Sequence, residues 1–246
     1  MNLVIDIGNH KCKIAAFDGD ELLEVFATDE SPFEALDRFI TQYKPEKSIL
    51  SSVILTDEAI IRKLTSTTDF VQLSATTPIP LKNNYETKET LGTDRLAAVM
   101  GSKTIVPNRN VLTINGGTCV TFDLLTDDGI YQGGAISPGL NMRFIALNTF
   151  TGKLPLITFD ENFHDLIGTS TQESILSGVQ NGLIAELEGV ITQYNSRYKN
   201  LAEVVCGGDS NFFVSRLKNS IFAHNLIWQP HLVLAGLNAI LNYQYV

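Results

Sequence analysis

A strand–turn–strand motif occurs twice in the sequence, and this duplication constrains the fold more than any other feature. The first copy ends a run of apolar residues at Asp6-Ile7-Gly8-Asn9, and the second ends a similar run at Asn115-Gly116-Gly117-Thr118. A shift of 109 residues superimposes the two copies and also aligns Asp18 with Asp127 in the next turn. Chance readily aligns one glycine, but less readily a polar strand end, a turn and a second hairpin together. The sequence therefore predicts an internal structural repeat.

Apolar runs and turn residues around each copy predict the secondary structure. In the first half we expect strands at 2–7, 11–17, 21–26 and 49–53, and helices at 31–43, capped by Ser31, and at 57–65. In the second half we expect strands at 111–114, 118–125, 130–136 and 203–206. Helices are predicted to start at Pro138, to cover 170–195, to follow an N-cap at Asp209 and Ser210, and to start near Pro230. These elements predict an α/β protein.

The net charge of −9, with 44% hydrophobic and 18% charged residues, is typical of a globular soluble protein. A negative field repels nucleic acids and anionic membranes, so neither is an expected partner. It also repels ATP, so a nucleotide site here needs backbone N–H groups, a few Lys or Arg and a metal. The three cysteines form no CxxC pair, which favours free thiols in a reducing cytoplasm. The first residues, Met1 to Asp6, lack the basic start of a signal peptide.

The stretch from Asn225 to Val246 contains no Asp, Glu, Lys or Arg, and its length alone suggests a membrane span. Polar residues interrupt it, however, and its apolar residues fall at helical spacing. Those apolar residues are Val233, Leu237, Ile240 and Leu241. We therefore expect a packed C-terminal helix.

The first copy of the motif combines groups suited to bind a nucleotide. A carboxylate such as Asp6 at a strand end can hold Mg²⁺ directly or through water. Gly8 lets backbone N–H groups approach phosphate, and Lys11 and Lys13 follow on the returning strand. A plain hairpin with Asp and Asn as turn formers explains the same residues. Two equivalent copies favour the nucleotide interpretation, because two hairpins can clamp a polyphosphate from opposite sides.

Two further motifs carry chemistry. Leu91 to Ala98 places an Asp–Arg pair, Asp94 and Arg95, at the start of an apolar helix. A carboxylate there can accept a hydroxyl proton while Arg holds an anion, although Asp also stabilises a helix N-terminus without any catalytic role. Gly133 to Gly139 lets the backbone approach an anion closely, or simply connects a strand to a helix. The sequence contains neither a GxxxxGK[ST] phosphate loop nor a GxGxxG motif after a strand.

These motifs, in this order and spacing, resemble type III pantothenate kinase, a bacterial family of the acetate/sugar kinase, Hsp70 and actin superfamily. The resemblance extends from Asp6 to the run 232–237. It implies an α/β fold of duplicated actin-like (ribonuclease H-like) domains, at 1–108 and 109–246, each a mixed sheet with flanking helices. It further implies ATP-dependent phosphorylation of pantothenate to 4'-phosphopantothenate, the first step of coenzyme A biosynthesis.

The same resemblance implies the roles of individual residues. Those that would contact ATP are Asp6, Ile7, Gly8, Asn9, His10, Lys11, Cys12, Lys13 and Thr118. Those that would contact pantothenate are Tyr85, Gly92, Thr93, Asp94, Arg95 and Thr171, with Asp94 as the catalytic base. Asp6 would lie near Mg²⁺, and Asn115 at a monovalent cation, K⁺ or NH₄⁺. Members of the family are homodimers with the pantothenate site at the subunit interface.

This chain departs from the family pattern at three positions. Asn115 stands where the family usually has a cation-binding Asp, which removes one charge and leaves the dependence on K⁺ or NH₄⁺ open. His10 replaces a small hydroxyl residue in the first loop, and Lys88 replaces a common Pro. Another small-molecule kinase of the same fold, or a non-catalytic regulatory homologue, is the alternative. The intact Asp6, Asp94 and Arg95 favour the kinase.

Overall fold

The computed structural model describes residues 1–9, 11–218 and 225–245. The strands are β1 (Asn2–Ile7), β2 (Cys12–Asp18), β3 (Glu21–Thr28), β4 (Lys47–Ser52), β5 (Asp69–Gln72), β6 (Lys82–Asn83), β7 (Val111–Gly116), β8 (Cys119–Leu125), β9 (Ile130–Pro138), β10 (Ala202–Cys206) and β11 (Leu226–Trp228). The helices are α1 (Phe33–Tyr43), α2 (Glu58–Thr67), α3 (Thr93–Ile105), α4 (Leu140–Thr149), α5 (Thr171–Leu176), α6 (Gly182–Arg197), α7 (Ser210–Leu217) and α8 (Leu232–Tyr243). A 3₁₀ turn covers Lys88–Thr90, and a π-turn covers Ser177–Asn181.

The order of the strands repeats between the two sheets. The first sheet has the order β3-β2-β1-β4-β5, and the second has the order β11-β10-β7-β8-β9-β6. In the first sheet β1 is antiparallel to β2 and parallel to β4, and in the second β10 is parallel to both β7 and β11. Five strands of the second sheet, β9-β8-β7-β10-β11, thus repeat the order of the first, with β6 added at the edge. This confirms the predicted duplicated α/β fold with flanking helices.

The chain forms two compact units. The first contains Met1–Asn108, Leu125–Gly133 and His231–Val246, and the second contains Arg109–Leu124 and Gly134–Pro230. The predicted division into domains 1–108 and 109–246 stays a prediction.

In the first unit, strand alternation divides the side chains of β1 between two layers of helices. Leu3, Ile5 and Ile7 pack with the buried faces of α1 and α2 in one hydrophobic core. The alternate residues point to the opposite face of the sheet, where Asn2 donates to Asn238 of α8 (2.8 Å). Asp6 belongs to this second face, so the fold directs its carboxylate away from the α1–α2 core.

Helices α3 and α8 of the first unit cross in close contact. The position of a Cβ on Gly236 would lie 1.7 Å from the carbonyl oxygen of Ala97, so only glycine permits this approach. Most of α3 is buried, including Leu96, Ala97, Ala98 and Val99. The N-terminus of α3, which carries the Asp–Arg pair, is therefore held by a rigid layer.

In the second unit, one core joins the sheet to its helices. Leu112, Ile114, Val120 and Phe122 of the strands pack with Phe144 of α4 and with α5, α6 and α7. The carboxyl ends of β7 and β10 lie side by side, because Asn115 pairs with Cys206. The turns that follow these two strands therefore meet at one edge of the sheet.

The predicted strands are confirmed, but two predicted helix starts are wrong. The N-cap position of α1 is Pro32 rather than Ser31. Pro138 is the last residue of β9, and Gly139 is the N-cap of α4. The predicted long helix at 170–195 is confirmed as a continuous helical stretch, in which the π-turn separates α5 from α6. The predicted C-terminal helix is confirmed as α8.

Within residues 1–9, 11–218 and 225–245, no helix combines the length and apolar character needed to cross a membrane. Cys12, Cys119 and Cys206 are free thiols, and Cys12 and Cys206 are buried.

Candidate functional site

The first turn connects β1 to β2 and lies beside a row of polar side chains. The turn is closed by the Gly8 N–H, which donates to the carbonyl of Lys11 (2.9 Å). Asp6 pairs with Lys13 on one neighbouring strand and with Ser51 on the other. Residues in register across a sheet point to the same face, so these three side chains form one row beside the turn.

Asp6 is the acid of this row, and its pKa is raised by the surrounding protein. Its Oδ1 atom is buried without a hydrogen-bond partner among the described residues. The pKa of Asp6 is raised to about 6, chiefly by burial and also by the negative charge of Asp94, while Lys13 and a hydrogen bond from Ser51 oppose the shift. A buried carboxylate oxygen without a partner is a suitable ligand for a hard cation such as Mg²⁺.

The N-terminus of α3 lies next to this row. The hydroxyl of Thr93, its first residue, lies 3.0 Å from that of Ser51. Gly92 is the N-cap residue, and the carboxylate of Asp94 lies directly against it. Asp94 is close enough for its negative charge to raise the pKa of Asp6. The fold thus unites a β1 carboxylate and an α3 carboxylate that are distant in sequence.

Arg95 and Tyr85 form a second contact of this helix terminus. Arg95 is only 4% exposed, and its guanidinium carbon lies 5.6 Å from the ring centroid of Tyr85. Tyr85 in turn stacks on buried Tyr131, with centroids 6.3 Å apart. An Arg fixed on an aromatic face is preorganised to bind an anion.

The remaining predicted residues of the first loop differ in exposure. Ile7 and Cys12 are 8% and 5% exposed, and they pair with each other across β1 and β2. Burial raises the pKa of Cys12 to about 12, which excludes a reactive thiolate. Asn9 and Lys11 are exposed. His10 lies outside the described residues.

The second turn is one residue shorter and lies under a helix N-terminus. The Gly117 N–H donates to the carbonyl of Cys119 (2.9 Å), and Thr118 is exposed. The Gly139 N–H, at the start of α4, donates to the carbonyl of Thr118 (3.1 Å). A Cβ on Gly139 would lie 2.2 Å from the carbonyl of Gly117. The second turn is thus joined by backbone contacts to the start of α4, so the positive end of the helix dipole lies at this turn.

Asp209, which the sequence assigned only to a helix cap, also contacts the second turn and the start of α4. Its N–H donates to the carbonyl of Gly116 (3.0 Å), and its carboxylate accepts a hydrogen bond from the N–H of Leu140. Burial raises the pKa of Asp209. The sequence feature that indicates this contact is a third glycine turn, Gly207-Gly208, directly after a strand. Asp209 ties this turn to both the second turn and the start of α4.

A cavity of about 1060 Å³ lies in the second unit and contains Thr171. It is lined by Arg143, Ala146, Leu147, Phe150, Thr151, Leu154, Gly168, Thr169, Ser170, Thr171, Ser174, Ile175, Gly178 and Val179. A capping box between Ser170 and Glu173 fixes the start of α5 at Thr171. Arg143 is held by Glu186 (2.6 Å). The apolar lining with a few convergent polar groups is typical of a small-molecule site.

The predicted site residues are divided between the two units. Asp6, Lys13, Tyr85, Gly92, Thr93, Asp94 and Arg95 belong to the first unit, whereas Asn115, Thr118 and Thr171 belong to the second. The described residues contain no group of three or more His, Cys, Asp or Glu that could hold a metal. Any Mg²⁺ here would thus take one protein carboxylate plus water and substrate oxygens, which is its usual coordination beside phosphates.

Comparisons with known proteins agree with this geometry. A profile of the family described as type III pantothenate kinase matches residues 2–193. The type III pantothenate kinase of Phocaeicola vulgatus is 42% identical over 244 residues, covering 99% of this chain and 98% of that protein. That of Christiangramia forsetii is 44% identical over 247 residues, with the same coverage.

A solved structure supports the fold alone. The activator of the 2-hydroxyisocaproyl-CoA dehydratase from Clostridium difficile, with bound ADPNP, aligns with a TM-score of 0.58 at 14% identity. The alignment covers 98% of this chain and 93% of that one.

Proposed function

Since this chain belongs to the type III pantothenate kinase family, we propose that it transfers a phosphoryl group from ATP to pantothenate, giving 4'-phosphopantothenate and ADP. This reaction is the first step of coenzyme A biosynthesis. The observation that carries the proposal for the site is the pairing of Asp6 with the Thr93–Arg95 start of α3. The pairing supports phosphoryl transfer because it places a metal-binding carboxylate beside a second carboxylate that can act as a base.

Asp94 is the proposed base. It accepts the proton of the pantothenate hydroxyl as that oxygen bonds to the γ-phosphorus and the bond to ADP breaks. Its position in the first turn of α3 supports this role, because the buried helix holds the carboxylate still. Arg95, fixed over Tyr85, orients the substrate or neutralises the transferring charge.

Asp6 is the proposed protein ligand of Mg²⁺. Its buried Oδ1 atom, which lacks a partner in the described chain, supports this assignment. A bound Mg²⁺ neutralises phosphate charge during the transfer. The Asp6 carboxylate must be ionised to hold the metal, so Lys13 contributes by opposing the effect of burial on its pKa.

The two turns are the proposed phosphate-binding elements. Backbone N–H groups and the side chains of Lys11 and Lys13 offset the net charge of −9 at the first turn. At the second, Thr118 and the start of α4 contribute a hydroxyl and a helix dipole. Asn115 offers a carbonyl oxygen to K⁺ or NH₄⁺, with one charge fewer than a carboxylate. Binding of a monovalent cation at Asn115 is thus proposed to be weak.

We further propose a cytoplasmic homodimer in which the pantothenate site, including Thr171, lies at the subunit interface. Large apolar side chains of the second unit, including Phe150 of the cavity lining, support this proposal because they are exposed in the single chain. They are Ile145, Phe150, Leu156, Leu166 and Ile167.

An assay of ADP release with and without pantothenate tests the function. We expect release that depends on pantothenate, at some concentration of K⁺ or NH₄⁺, and phosphopantothenate as the product by mass spectrometry. Release that depends on another hydroxyl compound in a substrate panel would favour a different small-molecule kinase. No stimulated release from any compound would favour the regulatory homologue.

A further inference from the structure

The π-turn Ser177–Asn181 has two faces with different contacts. Gly178 and Val179 line the cavity that contains Thr171. Ser177, Gln180 and Asn181 instead direct their side chains to the loop that precedes α5. A π-turn inside a helix costs regular hydrogen bonds and is often found at functional sites. This one connects a cavity wall to a loop.

Gln180 makes the most extensive connection. Its side chain is fully buried. Its amide oxygen accepts from the Asp160 N–H, and its amide nitrogen donates to the Asp160 carbonyl, both at 3.0 Å. The same nitrogen lies 3.4 Å from the Phe163 carbonyl. One side chain therefore binds the backbone at Asp160 in the manner of a neighbouring strand.

Ser177 and Asn181 hold the other end of this loop. The Ser177 hydroxyl donates to the Leu166 carbonyl (2.6 Å), and the Asn181 amide donates to the Asp165 carbonyl (2.9 Å). Arg216 of α7 donates to the Asn181 side-chain oxygen, which fixes the orientation of that amide. Three side chains of the π-turn thus bind the backbone at 160–166.

Polar contacts rather than packing secure the end of the loop nearest the cavity. Leu166 and Ile167 are 79% and 78% exposed, so they add almost nothing to the core. Gly168 follows directly and lines the cavity with Thr169, Ser170 and Thr171. A shift of the loop would displace this wall.

We propose that the π-turn is a positioning element for the substrate cavity, and that Ser177 and Gln180 are positioning residues for pantothenate. This inference rests on the proposed function, since it takes the cavity as the pantothenate site. The side chains need not touch the substrate. They hold 160–168 so that Thr171 and the adjacent wall meet it in one geometry.

Two variants test the proposal. Gln180→Met keeps the volume of the side chain and removes every bond to Asp160 and Phe163. Ser177→Ala is a milder change that removes the bond to Leu166, in case the first variant fails to fold. We expect the KM for pantothenate to rise about tenfold for Gln180→Met and about fivefold for Ser177→Ala, with the KM for ATP changed less than about twofold. Amide hydrogen exchange at 160–168 should be faster in both.

Asn195→Ala is the matched control. It removes another side-chain bond of the same helical region, to Glu203 (2.6 Å), away from the loop. It should change neither KM nor exchange at 160–168. An unchanged KM for pantothenate in the folded variants, or an equal rise in both KM values, would overturn the proposal.

Failure of the proposed function gives a different result. If the wild-type protein shows no turnover of pantothenate, the exchange measurement alone decides. Faster exchange at 160–168 than in Asn195→Ala then supports the positioning role of the π-turn, and equal exchange refutes it.

Discussion

The Gly8–Lys11 turn of the first unit and the Gly117–Cys119 turn of the second close with the same 2.9 Å bond but differ by one residue in length. The strand before the first turn contributes the carboxylate of Asp6, one oxygen of which is buried, whereas the strand before the second contributes an amide, Asn115. The two copies therefore share a closing hydrogen bond but differ in turn length and in charge.

The surroundings of the two turns differ as well. The first lies beside Lys13, Ser51 and the α3 carboxylate, all of them side-chain groups. The second is enclosed by backbone, through the N–H groups of Gly139 and Asp209. Side-chain charge suits metal binding and proton transfer, whereas fixed backbone dipoles suit phosphate binding. We therefore expect changes in the first unit to alter chemistry and changes in the second to alter nucleotide affinity.

The largest expected effect is that of Asp94→Asn. Loss of the base should lower kcat about 1000-fold, while the KM for ATP stays within about twofold of the wild-type value. Steady-state kinetics of ADP release measures both. Asp69→Asn, which changes an exposed carboxylate of the same unit, should have no effect. A kcat reduced less than tenfold would exclude Asp94 as the base.

Asp6→Asn should stabilise the protein in a manner that depends on pH. The pKa of Asp6 is about 6 in the folded state, whereas the ordinary pKa of an aspartate is 3.8, so the folded state binds more protons between these values. Protonated Asp6 therefore stabilises the folded protein at low pH, and this stabilisation is lost as the pH rises through this window. Relative to Asp6→Asn, the wild type should lose up to about 2 kcal/mol of unfolding free energy between about pH 4 and pH 7.

Urea unfolding in the presence of a chelator measures this difference. Asp57→Asn, at an exposed N-cap of the same unit, serves as the control. If the difference in unfolding free energy between Asp6→Asn and the wild type does not grow with pH, ionisation of Asp6 does not destabilise the folded protein.

Gly139→Ala should weaken nucleotide binding without changing the chemical step. The added Cβ would clash with the carbonyl oxygens of Gly117 and Thr118, at 2.2 and 2.5 Å, and must displace the second turn. We expect the KM for ATP to rise about tenfold. At Gly8 the nearest backbone atom is the Lys11 carbonyl at 3.3 Å, so Gly8→Ala should have a smaller effect.

Gly152→Ala is the neutral control, because no atom lies within 4 Å of its added Cβ. Equal effects of Gly139→Ala and Gly8→Ala on the KM for ATP would show that the two turns contribute equally to nucleotide binding.

Asn115→Asp should have the smallest effect and would make the two strand ends alike. The new carboxylate should strengthen binding of a monovalent cation, so K⁺ should stimulate the variant about threefold more than the wild type. Activity at constant ionic strength, with K⁺ exchanged for choline, measures the effect. Equal stimulation of both proteins would show that position 115 does not contact the cation.

The sequence predicted the strands and turns of both units because short apolar runs end at polar or glycine residues there. It also placed Asp94 and Arg95 at a helix start. It did not predict the π-turn, because Ile175, Val179, Leu183 and Leu187 keep helical spacing through it. The contacts of Gln180 depend on an irregular loop that has no periodic pattern.

The spacing of the repeat shows a second limit of sequence reasoning. A constant shift of 109 aligned Asp18 with Asp127, but the glycines with positive φ in these hairpins, Gly19 and Gly129, are 110 residues apart. The first turns also differ in length. Hydrogen bonds rather than residue identity determine which positions correspond.

The close crossing of α3 and α8 has a consequence for how the protein matures on the ribosome. The helix that carries Asp94 is synthesised more than a hundred residues before the helix that covers its apolar face. Until Leu232–Tyr243 emerges, that face lacks its partner, and the N-terminus of α3 lacks its rigid support. We therefore expect Asp94 to be held firmly beside Asp6 only after α8 has been synthesised.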